Sequence, residues 1–283
     1  MKNLELISFI FDVEFVWGYV CNVAGFSKSP SPYLLSPPTT VIGAIGAQIA
    51  KERELGENKG KKVISILLAG LKAIGLRPLN FRPVAFQDAS SIIAVKITSG
   101  KLRPDPLAKD KKRPFDTVGR GKVSAVSQDE NAPTLRVGVV FDLSLLESSE
   151  LTLSGKDLEE AIWRINRIGS KESVCSVTEV KKLVPQVIRE GELVTKYSHP
   201  AASLEGVSST GKWFFETYLD PFHPELRREY SPFKFFYGIK TSPALRPFRV
   251  PICPDSKIRG KLTSNYEAYS LRGNFNIIIG PRR

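Results

Sequence analysis

The chain has 283 residues, 42% of them hydrophobic and 25% charged, which is enough apolar material for a core and excludes a disordered chain. No stretch approaches the ~18 uninterrupted apolar residues of a membrane span, and Glu5, Asp12 and Glu14 interrupt the apolar N-terminal stretch, so neither a membrane protein nor a signal peptide is expected and the location reads as cytoplasmic. The 41 Lys and Arg exceed the 29 Asp and Glu by a net +12, which either points to a polyanionic partner or reflects basic solubility alone.

Leu4 to Val20 reads as a long strand, with Leu4, Leu6, Phe9, Phe11, Val13 and Phe15 recurring at period two after one slip. Gly25 to Thr40 is rich in Ser and Pro and reads as a loop. Ser36 can cap the helix that follows, with Pro37 as its first residue. Val41, Ile45 and Ile49 share one face of it, and Gly43, Ala47 and Ala50 a second, small-residue face. The apolar stretch from Lys62 to Gly75 predicts a second helix. Phe81 to Thr98 holds the next strand, carried by Ile92, Ile93, Val95 and Ile97. Residues 99–135 differ in kind: they have little apolar periodicity, and Lys101 to Lys122 carries a net +5, so a long irregular insertion is expected.

Arg136 to Leu145 is a strand. Ser154 caps a helix with Asp157 three residues on, Leu158, Ile162 and Ile165 form its apolar face, and Gly169 ends it. Val174 to Leu183 is the last strand of this series. The order β-α-(α)-β-β-α-β is that of a ferredoxin-like unit, whose sheet is shared with RNA-recognition domains. The predicted fold class is therefore α+β, with a ferredoxin-like unit over residues 1–183 interrupted by the insertion at 99–135. From residue 184 to 283 short aromatic and β-branched runs alternate with Pro and Gly, which predicts a β-rich C-terminal region; it is basic, net +8 from Pro224 to Arg283.

Cys21, Cys175 and Cys253 are far apart and odd in number, which argues against a disulfide framework and against zinc. No metal centre or cofactor fingerprint is present, and the scarcity of Cys, Met and Gln leans toward a thermophile. Two segments could grip phosphate. Pro37-Pro38-Thr39-Thr40-Val41-Ile42-Gly43 places two hydroxyls at a helix N-terminus, where Gly43 would let a backbone come near. Arg167-Ile168-Gly169-Ser170-Lys171-Glu172-Ser173 is a glycine turn flanked by two cations. Lys257-Ile258-Arg259-Gly260-Lys261-Leu262 is a further basic glycine turn, or one side of a plain hairpin.

The first two segments together resemble the two signatures of CRISPR-associated protein family five. This RAMP-superfamily subunit caps the 5′ handle of the guide RNA in type I interference complexes (Cascade), and the archaeal I-A branch is the most similar. The resemblance implies a palm like that of RNA-recognition domains, with an inserted thumb hairpin at residues 99–135. It also implies crRNA, the repeated backbone subunit and the large PAM-reading subunit as partners, target DNA as an indirect one, and no membrane. Arg167, Gly169, Ser170 and Lys171 would grip phosphate, with Thr39, Thr40 and Gly43 approaching the backbone. Lys109, Lys111, Lys112, Arg113, Arg120 and Lys122 would follow phosphates along the thumb, and Tyr33, Phe115 and Arg120 would offer stacking planes. Some branches of the family cleave pre-crRNA with a Tyr, Lys and His cluster. Here Lys196, Tyr197 and His199 form the one matching cluster, and a non-catalytic subunit is the expected reading, with a metal-independent endoribonuclease or a stand-alone RNA-recognition protein as alternatives.

Overall fold

A computed structural model of the chain describes residues 5–22, 30–93, 95–98, 101–104, 116–148, 151–228, 244–273 and 275–282. Strand β1 (Leu6–Phe15) turns Ile7, Phe9, Phe11, Val13 and Phe15 to one face and Ser8, Ile10 and Asp12 to the other. A two-residue strand, β2 (Gly18–Tyr19), follows. Helix α1 (Pro38–Glu52) starts one residue later than the sequence predicts. Pro37 is extended at ψ 143 because a following proline disfavours the helical region, while Pro38 suits the first helical position. Ser36 is therefore no cap; it is buried beside the Cys21 thiol.

The apolar stretch from 62 to 75 is not one helix. Helix α2 (Glu57–Gly70) ends at Gly70, and β3 (Leu71–Pro78) begins at once. A strand buried on both faces has no alternation, so its residues merged with the helix in the sequence. Since β3 is the second strand of the ferredoxin-like unit, Phe81 to Thr98 belongs to the insertion, which starts near Phe81 rather than at residue 99. The insertion is a regular antiparallel ladder of β4 (Phe81–Ile93) with β7 (Asp116–Ser127), continued by the pair β5 (Val95–Thr98) and β6 (Lys101–Pro104). Strand β2 pairs with β7 and ties this hairpin to the body. Asn80 closes its base, donating to Asp129 Oδ1 at 2.8 Å and accepting from Thr134 N at 2.8 Å.

The chain returns through β8 (Thr134–Asp142), α3 (Gly155–Trp163) and β9 (Cys175–Leu183). Ser154 and Asp157 form the expected capping box, but α3 ends at Trp163, so Gly169 is not its cap and lies in a separate turn. The sheet order is β3-β8-β1-β9, antiparallel throughout, as a ferredoxin-like unit requires. Val41, Ile45, Leu158 and Ile162 of the helices share the core with the β1 phenylalanines on one face.

The C-terminal region contains β10 (Gln186–Ile188), β11 (Glu192–Thr195), β12 (His199–Pro200), β13 (Leu204–Thr210), β14 (Trp213–Leu219), α4 (Pro224–Arg228), β15 (Leu245–Pro251), β16 (Lys257–Leu262), β17 (Tyr266–Ser270) and β18 (Ile277–Pro281). They form three three-stranded sheets, β10-β17-β18, β11-β16-β13 and β12-β15-β14. Residues 257–262 are thus the central strand of a sheet, not a glycine turn. This region closes the second face of the palm: Ile10, Ala73 and Val140 pack with Tyr197, Tyr269, Leu271 and Ile278. The approach is close enough to need glycine. A Cβ on Gly280 would sit 1.9 Å from Lys72 O, and one on Gly75 2.8 Å from Tyr197 Cβ. On the same face Arg136 donates to both Asp12 carboxylate oxygens, at 2.6 and 2.5 Å, and reaches Glu179 at 3.4 Å.

Candidate nucleic-acid interface

The two segments expected to grip phosphate, more than a hundred residues apart in sequence, line one cleft of about 580 Å³. Pro37, Thr39, Thr40 and Gly43 form one wall from the start of α1; Arg167, Gly169 and Lys171 form the other; Val20, Cys21 and Asn22 lie between them. The turn is held by the segment after β2. Ser170 N donates to Val20 O at 3.1 Å, and Val20 N donates to Ser173 Oγ at 2.9 Å. Gly169 has φ 116, and a Cβ there would lie 2.8 Å from both Val20 O and Ser173 Oγ. Conformation and space thus both demand glycine at this position.

The electrostatics of the cleft favour an anion. Arg167 and Lys171 are exposed, and among the described residues neither is held by an ion pair. The N-terminus of α1 has no side-chain cap and no acidic residue in its first turn, so its positive dipole end is uncompensated. Thr40 is half-buried, Thr39 more deeply buried, and nothing lies within 4 Å of where a Cβ on Gly43 would be, so that glycine leaves open space rather than packing on the sheet. Burial pushes the Cys21 thiol up to about 11, against hydrogen bonds from Ser36 and Thr40, so it is neutral at the cleft floor.

The thumb cations divide. Lys122 is no free phosphate contact: its Nζ lies 2.6 Å from Asp88 and 2.8 Å from Glu172, over the Trp17 ring. Those two carboxylates neutralise it, and its role is to tie the hairpin to the glycine turn. Arg120 lies on β7 opposite Asp88. Lys109, Lys111, Lys112, Arg113 and Phe115 lie outside the described residues. Tyr33 offers no plane to a base: it is 6% exposed, packs edge-on against Tyr218 and donates to Thr217 O at 3.1 Å.

Lys196, Tyr197 and His199 are not brought together at one accessible site. His199 is fully buried on β12, its Nδ1 2.9 Å from Ser203 Oγ, and desolvation pushes its pKa down to about 4, which leaves it neutral and out of reach of a substrate. Tyr197 is buried under the palm sheet with its hydroxyl on Asn276, and Lys196 lies over the Phe275 ring. Among the described residues no group of three His, Cys, Asp or Glu could hold a metal ion, and no helix is long and apolar enough to cross a membrane.

Neither a protein-family model nor a curated protein matches the sequence. Among solved structures, a CRISPR protein from Archaeoglobus fulgidus is 31% identical to this chain over 98% of its length and 100% of the other's, with a TM-score of 0.66. The chain belongs to the family of that CRISPR protein. Two cryo-EM structures of the Type III-B Cmr-beta complex, both bound to cognate target RNA, are more distant. One is 11% identical over 64% of this chain and 61% of the other, with a TM-score of 0.34. The second, which also holds AMPPnP, is 8% identical over 89% and 86%, with a TM-score of 0.43.

In this CRISPR-family chain two positions that shape the cleft escaped sequence reasoning. Glu216 of β14 accepts from Leu34 N at 2.6 Å and Leu35 N at 3.2 Å, as well as from the Tyr218 hydroxyl, and so fixes the loop that leads into α1. Burial raises its pKa against those hydrogen bonds. Trp17 donates from Nε1 to Glu172 O at 3.0 Å and braces the glycine turn from below. Glu216 sits in an aromatic run that reads as an ordinary amphipathic strand; only the tertiary pairing gives it a role.

Proposed function

We propose that the chain is a non-catalytic crRNA-binding subunit that caps the 5′ handle of the guide RNA in a type I CRISPR interference complex, of the archaeal I-A kind, working in the cytoplasm in antiviral defence. The observation that carries this reading is the convergence of the α1 N-terminus and the Arg167–Lys171 turn on one cleft. Lys171 and Arg167 take the phosphates, Ser170 and Thr40 add hydroxyl donors, and Gly43 leaves room for the backbone. The repeated backbone subunit and the large PAM-reading subunit are its protein partners, and target DNA meets it only through them. The burial of His199 supports a binding rather than a cleaving role.

Binding of a repeat-derived handle RNA to purified Lys171→Ala tests the reading. We expect weaker binding, by about tenfold, and a shallower salt dependence, since one fewer cation meets phosphate, with the melting temperature unchanged. Equal affinity, or a matching loss of melting temperature, would overturn it. The purified chain should also leave repeat RNA intact in EDTA; specific cleavage would replace this reading with the endoribonuclease.

A further inference from the structure

We propose that the outer face of the β11-β16-β13 sheet is a second contact for single-stranded nucleic acid, one that holds a phosphodiester on Lys257 and Arg259 and stacks the attached base on Phe275. It shares no residue with the cleft and goes beyond the handle-capping reading.

Strand β16 lies at the centre of this sheet. Ile258, Gly260 and Leu262 are buried, so Lys257, Arg259 and Lys261 project from the opposite face. The three cations differ in their neighbours. Lys261 pairs across the strands with Glu192 and Glu205, and its Nζ is 3.9 Å from the Glu205 carboxylate. Arg259 instead lies between Val194 and Ser208, and Lys257 opposite Thr210; among the described residues neither is held by an ion pair. With Ser209 and Phe275 these residues line a pocket of about 350 Å³. One end of the sheet face thus combines two unneutralised cations with hydroxyl donors in a concave site.

The aromatic wall points to a nucleotide rather than a simple anion. Phe275 is 37% exposed, with Lys257 Nζ 4.8 Å and Lys196 Nζ 5.7 Å from its ring centroid. Its backbone is left-handed at φ 66, a conformation costly for a bulky side chain. Such strain persists where the placement of a side chain is worth more than its relaxation. Positive charge is crowded there: Lys196 is held below its usual range by burial and by the charges of Arg77 and Lys257, with Asp255 opposing them. A partly exposed ring, two cations and hydroxyls on one pocket wall bring together the stacking, charge and hydrogen-bonding groups that single-stranded nucleic acid uses.

The test is fluorescence anisotropy of the full chain with labelled oligouridylate and oligothymidylate of equal length, neither carrying a handle sequence. Lys257→Ala/Arg259→Ala should weaken binding about tenfold and reduce the salt slope by about 0.7, the single-strand value for one phosphate. Phe275→Leu should weaken binding several-fold and leave the slope unchanged, because only stacking is removed. Loss with both oligomers makes the site indifferent to the sugar; loss with oligouridylate alone makes RNA the ligand. Unchanged affinity in both variants for both oligomers would overturn the inference. As a measurement independent of variant folding, photocrosslinking of 5-iodouridine RNA to the unaltered chain should label the peptide containing Phe275; labelling elsewhere only would count against it. Lys171→Ala with handle RNA separates the two readings: unchanged handle affinity there, with oligonucleotide binding lost in the pocket variants, removes the handle reading and keeps the pocket, whereas lost handle affinity with unaffected pocket variants removes the pocket and keeps the handle reading.

Discussion

The two faces of the palm sheet are built from the same four strands and used in opposite ways. One face carries the three helices of the unit, and the anion cleft lies at its rim, where α1 begins and the Arg167–Lys171 turn passes. The other, the face on which an RNA-recognition domain stacks bases, is sealed by Tyr197, Tyr269, Leu271 and Ile278. On the proposed reading the binding surface therefore lies off the sheet, on turns at its edge. The sealed face has no room for any side chain at Gly75 and Gly280; the cleft has open space at Gly43.

The sharpest way to break this contrast is Gly280→Ala. Its Cβ would meet backbone that cannot swing aside, so we expect a loss of ~3 kcal/mol or more, read as the urea midpoint. Asp12→Ala should cost ~2 kcal/mol by stranding Arg136 inside the same interface, with Arg136→Met in the same background recovering part of it. Gly169→Ala should cost ~1–2 kcal/mol, because the strain falls on one turn, while handle RNA affinity drops by more than the stability change alone would explain. The sealed side also has a pH signature. His199 has a folded pKa depressed to about 4, so below its unfolded value near 6.5 the unfolded chain takes up a proton that the native chain refuses. Its contribution is complete above pH ~6.5 and is lost as pH falls toward 4, at about 1.4 kcal/mol per pH unit. His199→Gln should flatten the midpoint-versus-pH curve in that window. The smallest effect is expected on the open side: Lys171→Ala should leave the melting temperature unchanged within error.

What could be read from the sequence followed periodicity and capping. The alternation in β1, the Ser154–Asp157 box and the α1 face were all legible because half-buried elements write a pattern. Strand β3 was not, because burial on both faces erases alternation, and missing it displaced the start of the insertion by nearly twenty residues. The two cleft segments were legible as glycine and hydroxyl motifs, while their meeting on one cleft came from the structure. Lys122 and Tyr33 were misread for one reason: residue type shows charge or aromaticity, but not that Glu172 and Asp88 neutralise the first or that Tyr218 covers the second.

The sealing of the palm by β17 and β18 also sets a timetable for synthesis. All four palm strands have been made once residue 183 is complete, yet the strand that lays Gly280 over Lys72 comes almost a hundred residues later. At ordinary elongation rates Ile10, Ala73 and Val140 then lack their cover for roughly 5–20 seconds on the ribosome. For that interval the nascent chain presents a greasy sheet face, the surface most open to mispairing or to chaperone capture, and its final fold waits on one of its last strands.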